Sequence, residues 1–352
     1  MKALVIGGSS GLGLAIARKL IEESYFVEII GRSAPPAGAL QEGAYAMHRC
    51  DLSYLDEELI SSFAADPELS VLMITAGFGR IADFAFFHTA EIEKMMTVNA
   101  TSVIRILRLF YDRIQSRERF YCGVVGSIAG WMSSPSAAVY AASKAALCRL
   151  VESVNIELEV SGTENRILDV SPASFKGSRF YGGQTRLDLL EDLAREVTEH
   201  LFAADTLFIP RYEETFRAVL ERYHADPHEY GLHSYQYKKD SGRLDNRIRA
   251  AIGYLPGSFD RFGPAELAAI RAAKKRCDCL IVGLREEGTL PLSDRRELLA
   301  ACRYVDRVVD SSGDLREDWK RLRFDKLFVN TEESEAEPLR ERGVEIVPLA
   351  EK

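Results

Sequence analysis

A chain of 352 residues exceeds what one ordinary hydrophobic core organises, so two domains are expected. Its 47% hydrophobic and 28% charged content is that of a soluble globular protein, and a net charge of -8 without a long basic run argues against nucleic acid or anionic membrane as main partner. No apolar run approaches a membrane span, and the opening MKALVIGG enters a strand at once, which predicts neither a transmembrane helix nor a signal peptide.

To about residue 172, apolar β-rich runs alternate with helical patterns. KALVIG, YFVEIIG, SVLMITAG, YCGVVGS and NRILDVSPA have the continuous apolar character of buried parallel strands. LGLAIARKLIEE, AEIEKMMTVNATSVIRILRLFYDRI and AAVYAASKAALCRLVESVNIELE have the spacing of the helices between them. The alternation predicts an α/β fold with a doubly wound parallel sheet. The segment 181–235 is mostly helical and charged, ends in HADPHEYGLHSYQYK, and completes a first domain over 1–235. After a connector at 236–250 the rhythm restarts in AAIGYLPG, ELAAIRAAKKR, CLIVGL, RRELLAACRYV, RVVDSS, KLFVN and VEIVPLA, which predicts a second, smaller α/β domain over 251–352. Cys50, Cys122, Cys148, Cys277, Cys279 and Cys302 lie in apolar segments without zinc or disulfide spacing. Reduced thiols in a cytoplasmic protein, with no metal, are the expectation.

The first strand runs straight into Gly7-Gly8-Ser9-Ser10-Gly11-Leu12-Gly13 and then a helix. Glycines there permit a tight turn and let backbone N–H groups approach a pyrophosphate at the helix N-terminus. The second strand is followed by Gly31-Arg32-Ser33, where an NAD site usually carries an acid for the ribose hydroxyls. A guanidinium at Arg32 suits a 2′-phosphate instead, so NADP(H) is the expected cofactor. Asp51 and Leu52 follow the third strand, and Thr75-Ala76-Gly77 the fourth, where adenine and its ribose would lie.

Later in the chain, Tyr140 and Lys144 stand four apart on a helical pattern, hence on one face. An adjacent ammonium lowers a phenol's pKa, so Tyr140 can trade a proton with a carbonyl oxygen near neutrality. The Ser127 hydroxyl can hold the same oxygen. With GGSSGLG, TAG, Asn99 in MTVNA, Ser127 in GSIAG, YAASK and Pro172 in order, the first domain resembles the short-chain dehydrogenase/reductases. Ile6, Thr75 and Ala173 depart from that pattern. The resemblance implies a Rossmann fold and an NADP-dependent carbonyl reductase in which Ser127, Tyr140, Lys144 and Asn99 are catalytic, Asn99 helping to hold a water that relays protons to the lysine. Tyr140, Lys144 and Pro172 would also touch the cofactor. It further implies a homodimer or homotetramer paired through the helices at 91–114 and 138–160.

At the substrate end, Lys176, Ser178 and Arg179 after the sixth strand offer a grip on a phosphate or carboxylate, with ordinary loop solvation as the alternative. The second domain, with Gly257-Ser258-Phe259-Asp260-Arg261-Phe262, LIVGL and RRELLAACRYVDRVV, resembles the cytidylyltransferase-like nucleotidyltransferases and their GTFDxFHxGH opening. Gly263 and Glu266 stand where that motif has its two histidines, so a degenerate domain serving assembly, stability or nucleotide sensing is expected, with Asp260 and Arg296 as remaining nucleotide contacts. Relatives of that domain couple polyol phosphates to CTP, which makes a small phosphorylated ketose or aldose the expected substrate. A 3-oxoacyl or other apolar carbonyl reductase, a bifunctional reductase/cytidylyltransferase making a CDP-polyol, and a nucleotide-regulated scaffold are the alternatives.

Overall fold

The structure is a computed structural model that describes residues 1–177, 184–329 and 336–349. The chain forms two compact units, Met1–Phe86 with Ile92–Arg247, and Phe87–Glu91 with Ile248–Lys352.

The first unit contains β1 (Lys2–Ile6), α1 (Gly11–Glu22), β2 (Phe26–Gly31), β3 (Tyr45–Arg49), α2 (Glu57–Ala64), β4 (Leu69–Ile74), α3 (Thr89–Met96) from Ile92 on, α4 (Ser102–Leu109) and α5 (Tyr111–Gln115). It continues through β5 (Tyr121–Val125), α6 (Ala138–Ser161), β6 (Ile167–Val170), α7 (Glu191–Phe202), β7 (Leu207–Phe208), α8 (Arg217–Ala225) and α9 (Pro227–Asp240). The seven strands pair in parallel in the order β3-β2-β1-β4-β5-β6-β7. Alternating side chains divide two cores between the sheet faces. Leu4, Ile6, Leu72 and Val124 pack with Ile106, Leu147 and Val151 on one side; Ala3, Val5, Val27 and Met73 pack with Leu14, Ile16, Val197 and Leu201 on the other. Both faces are therefore buried, which is why the strands read as unbroken apolar runs. The strand order reverses between β1 and β4, and the loops leaving those two strands diverge at their carboxyl ends, where open α/β sheets bind ligands.

Two elements differ from the sequence reading. The helix expected across 91–114 is broken, because residues Thr97–Thr101 form a π-helical turn between α3 and α4. The cause is Asn99, fully buried, whose Nδ2 donates to the Phe78 carbonyl at 2.8 Å and whose Oδ1 accepts from the Phe78 N–H at 3.0 Å. Holding that side chain against another loop inserts an extra residue into the turn. The helix α9 also runs five residues beyond 235 to Asp240, and the first unit continues to Arg247.

The second unit contains β8 (Ile252–Gly257), α10 (Pro264–Lys274), β9 (Cys279–Leu284), α11 (Leu292–Ala300), β10 (Arg307–Asp310), α12 (Leu315–Leu322), β11 (Lys326–Val329), α13 (Glu337–Arg340) and β12 (Glu345–Pro348). Its five parallel strands run in the order β10-β9-β8-β11-β12. Tyr254, Ile281 and Leu327 pack with Leu315 and Leu339 on one face, and Leu255, Val282 and Phe328 with Ile270 and Leu299 on the other.

Candidate active site

The loops at the carboxyl ends of the first unit's strands enclose a cleft of about 680 Å³. Its floor is the glycine-rich turn. Gly7 has φ 91°, and an added Cβ would lie 2.7 Å from the Ala76 nitrogen; at Gly13 an added Cβ would lie 2.4 Å from the Gly7 carbonyl oxygen. Neither position has room for a side chain, so the turn closes tightly on β4 and on the first turn of α1. Ser9, Ser10, Gly11 and Leu12 line the cleft beside it. No acid occupies the first turn of α1 and Ser10 makes no side-chain cap, so the positive end of that helix stays available to an anion. The Gly11 N–H donates to the Thr185 hydroxyl at 3.1 Å, a partner that sequence reasoning missed.

Arg32 and Ser33 lie exposed at the rim, and the Arg32 carbonyl accepts from Arg49 Nε at 3.1 Å, bringing a second guanidinium to that end. Asp51 lines the cleft while its carboxylate accepts from the Ser53 N–H at 2.9 Å, capping the short turn Leu52–Tyr54. Leu52 is buried with its carbonyl accepting from Ser102 Oγ, and Ala76 and Gly77 complete this wall.

Ser127, Tyr140, Lys144 and Pro172 line the same cleft. Ser127 starts a turn after β5, its hydroxyl accepting from the Ala129 N–H at 3.2 Å, and the neighbouring Ile128 N–H donates to the Pro172 carbonyl. The first turns of α6 place Lys144 Nζ 5.9 Å from the centre of the Tyr140 ring. That amine, 3% exposed, donates to the Val125 carbonyl at 2.7 Å. Burial pushes its pKa down to about 8 against a smaller opposing pull from the Asp169 charge. Asn99 stands just behind the cleft: a Cβ added to Gly77 would lie 3.3 Å from Asn99 Oδ1 and 3.4 Å from Lys144 Nζ. Its amide also donates to Ser143 Oγ, so these side-chain bonds clamp the Phe78 loop to α6 and do not themselves hold the water implied by the resemblance.

The substrate residues read from the sequence fare differently. Lys176 is exposed and is not among the described residues that line the cleft; Ser178 and Arg179 lie outside the described residues. The wall beyond Tyr140 is supplied instead by Tyr230, Ser234 and Lys238 of α9, with Arg243 just after it. Their spacing of four was a visible signal of one helix face, overlooked because the surrounding segment read as solvated and charged. Lys238 Nζ donates to Ser134 Oγ at 3.0 Å and to the Pro135 carbonyl at 2.7 Å. Burial, assisted by the Arg243 charge, pushes its pKa down to about 8.

Within the second unit, the motif residues have local partners. Asp260 accepts from the Thr289 N–H and hydroxyl and from the Leu290 N–H, which holds its carboxyl below the usual range. Arg296 pairs with Asp310. Gly263 begins α10, and its N–H donates to the Glu266 carboxylate at 3.1 Å, so the two positions that carry histidines in the nucleotidyltransferase motif here cap a helix.

Residues 1–179, just over half of the chain, match the short chain dehydrogenase family. The 7beta-hydroxysteroid dehydrogenase of Clostridium sardiniense is 30% identical over 166 residues, covering 44% of this chain and 62% of that protein. The 17-beta-hydroxysteroid dehydrogenase type 1 of Homo sapiens is 29% identical over 182 residues, covering 48% and 56%. The chain thus spans less than two thirds of the length of these two relatives. A short-chain dehydrogenase from Sphingobium yanoikuyae, solved in complex with NADPH, shares the fold with a TM-score of 0.53 and 19% identity over 64% of this chain and 95% of that one. The chain belongs to the short-chain dehydrogenase family.

Proposed function

We propose that the first unit is an NADP(H)-dependent carbonyl reductase acting on a small phosphorylated ketose or aldose to give a polyol phosphate, with Tyr140 as general acid. The observation that carries this reading is the convergence of Ser127, Tyr140 and Lys144 on the cleft whose floor is the glycine turn. The crowding at Gly7 and Gly13 and the uncapped start of α1 fit a pyrophosphate, and Arg32 and Ser33 at the rim fit a 2′-phosphate. Bound NADPH supplies the hydride. Tyr140 gives its proton to the substrate oxygen, while the Ser127 hydroxyl donates to that oxygen as charge develops on it. The Lys144 ammonium favours the tyrosinate that remains, and Asn99 fixes the loop behind it.

A reductase for 3-oxoacyl or other apolar carbonyls is the second reading, favoured by the steroid substrates that the names of the two relatives carry. Consumption of NADPH across a panel of sugar phosphates, 3-oxoacyl thioesters and steroid ketones separates the two. Turnover confined to the thioesters or ketones would reject the phosphorylated substrate, and turnover of none of the three would reject both.

The same proposal places the enzyme in the cytoplasm as a homodimer or homotetramer. Among the described residues no helix is long and apolar enough to cross a membrane, and Ile156 and Val160 on α6 are 61% and 85% exposed, a surface suited to pairing. The second unit is read as a nucleotidyltransferase-like domain that serves packing or nucleotide sensing, because the imidazoles that would stabilise a transferring phosphate are replaced by a helix cap.

A further inference from the structure

We infer that Lys238 and Arg243, together with the hydroxyls of Ser134 and Ser234, form a subsite that takes the phosphate of the carbonyl substrate. This rests on the reductase reading and assigns the residues that select its substrate class.

Four observations converge. The Lys238 amine donates to two neutral oxygens, Ser134 Oγ and the Pro135 carbonyl, and among the described residues no carboxylate pairs with it. Arg243, exposed at the edge of the cleft, stands near enough to disfavour the charge on half-buried Lys238 further, so the fold brings a second cation to an amine that is already partly desolvated. Such an arrangement costs free energy that an anion would return. The charge of the cleft is also lopsided. Asp51 is the one acid among its described lining residues and is engaged at the far side by the Ser53 N–H, whereas Arg80, Lys94, Lys144, Lys238 and Arg243 line the remainder. In a chain of net charge -8 this local excess of cations is not a reflection of composition. Of these cations, Arg80 is buried and donates to the Phe86 and Arg247 carbonyls, and Lys144 is buried and donates to the Val125 carbonyl, whereas Lys238 and Arg243 lie at and just after the end of α9.

The position suits a short molecule. Ser134 and Pro135 belong to the loop that leads into α6, so Lys238 is fastened a few residues ahead of the proposed proton donor Tyr140 on that helix. One end of a small substrate can reach Tyr140 while its phosphate meets the ammonium and guanidinium. Two cations and two hydroxyls lining one cleft match a dianion with three acceptor oxygens better than a neutral or singly charged end.

Calorimetry on the full chain tests the subsite without relying on turnover. Glycerol 3-phosphate should bind, and glycerol and glycerate should bind at least about tenfold more weakly. Lys238→Met should weaken glycerol 3-phosphate binding by about tenfold or more, and Arg243→Met, at an exposed position that folding does not depend on, should weaken it in the same direction. In parallel, NADPH oxidation with dihydroxyacetone phosphate and with dihydroxyacetone should show a preference for the phosphorylated compound that falls at least about tenfold in either variant, through KM. Unchanged binding of glycerol 3-phosphate in both variants, or no preference over glycerol and glycerate in the wild type, would overturn the subsite. Phosphate binding that depends on Lys238 without NADPH oxidation by any carbonyl would keep the subsite and reject the reductase reading.

Discussion

In the mechanism proposed above, Lys144 has two jobs that pull against each other. It must be buried to reach Tyr140, and burial disfavours the charge that makes it useful; the outcome is a pKa near 8, below its ordinary 10.5. Between those values the unfolded chain binds more protons at this residue than the folded one, so stability rises with pH across that window. The wild type should therefore gain on Lys144→Met by up to about 3 kcal/mol between pH 8 and 10.5, measured by urea unfolding without cofactor. Parallel curves would place the amine in a wetter setting. At the other end of the cleft, Arg32→Ala should weaken NADPH binding by roughly 1.5–3 kcal/mol and NADH binding little, and equal losses would remove Arg32 from the 2′-phosphate. Tyr140, Lys144 and Arg32 were legible in the sequence because their positions follow from helix spacing and strand ends. Lys238 was overlooked: its spacing of four from Ser234 sat in a segment that read as solvated and charged, and no spacing joins residues 134 and 238. Lys176 misled for the converse reason: proximity along the chain to Pro172 did not carry its side chain into the cleft.

At the scale of elements, α6, which carries the proposed proton donor, sits near a set of tight contacts at the ends of β5 and β6. Asp169 on β6 is 3% exposed, and burial raises its pKa against the smaller opposing effect of the Ser171 hydroxyl, which donates to its Oδ1 at 2.9 Å. An added Cβ at Gly126 would run into Asp169 Oδ1 and come 2.7 Å from Ser171 Oγ. Gly126→Ala should then destabilise the first unit by about 1–3 kcal/mol through overpacking. Adding Asp169→Ala should recover part of that loss, and strict additivity in thermal unfolding would show that the two side chains do not meet. The strands were read easily because both faces of the sheet are buried. Helices α2 and α12 were passed over because they are eight residues each and the second is dominated by charge, so neither shows a wide apolar stripe. The break at Asn99 was beyond sequence reasoning, since the force that opens the helix comes from the backbone of Phe78, 21 residues away.

Across the whole molecule, the doubling of the parallel sheet was legible from the restart of the βα rhythm, and the chemistry of the second unit is where the account takes most risk. Arg295 is almost fully buried and donates to the carbonyls of Ser258, Arg285, Glu286, Glu287 and Leu290, while Asp260 holds the same loop from its other side. The loops at the carboxyl ends of β8 and β9 are thus braced from within by Arg295 and by Asp260, one of the two residues expected from the sequence to contact a nucleotide. Incubation with CTP, magnesium and polyol phosphates should release no pyrophosphate above background, and CDP-polyol formation abolished by Asp260→Ala would make the protein bifunctional. The central claim concerns the first unit, and its most direct test is the Tyr140→Phe variant, assayed by NADPH oxidation on the carbonyl compound that the wild type reduces fastest. NADPH binding should stay near normal while turnover falls by at least about a hundredfold, the scale of a lost general acid. A variant that kept more than about a tenth of the wild-type rate would contradict Tyr140 as the proton donor.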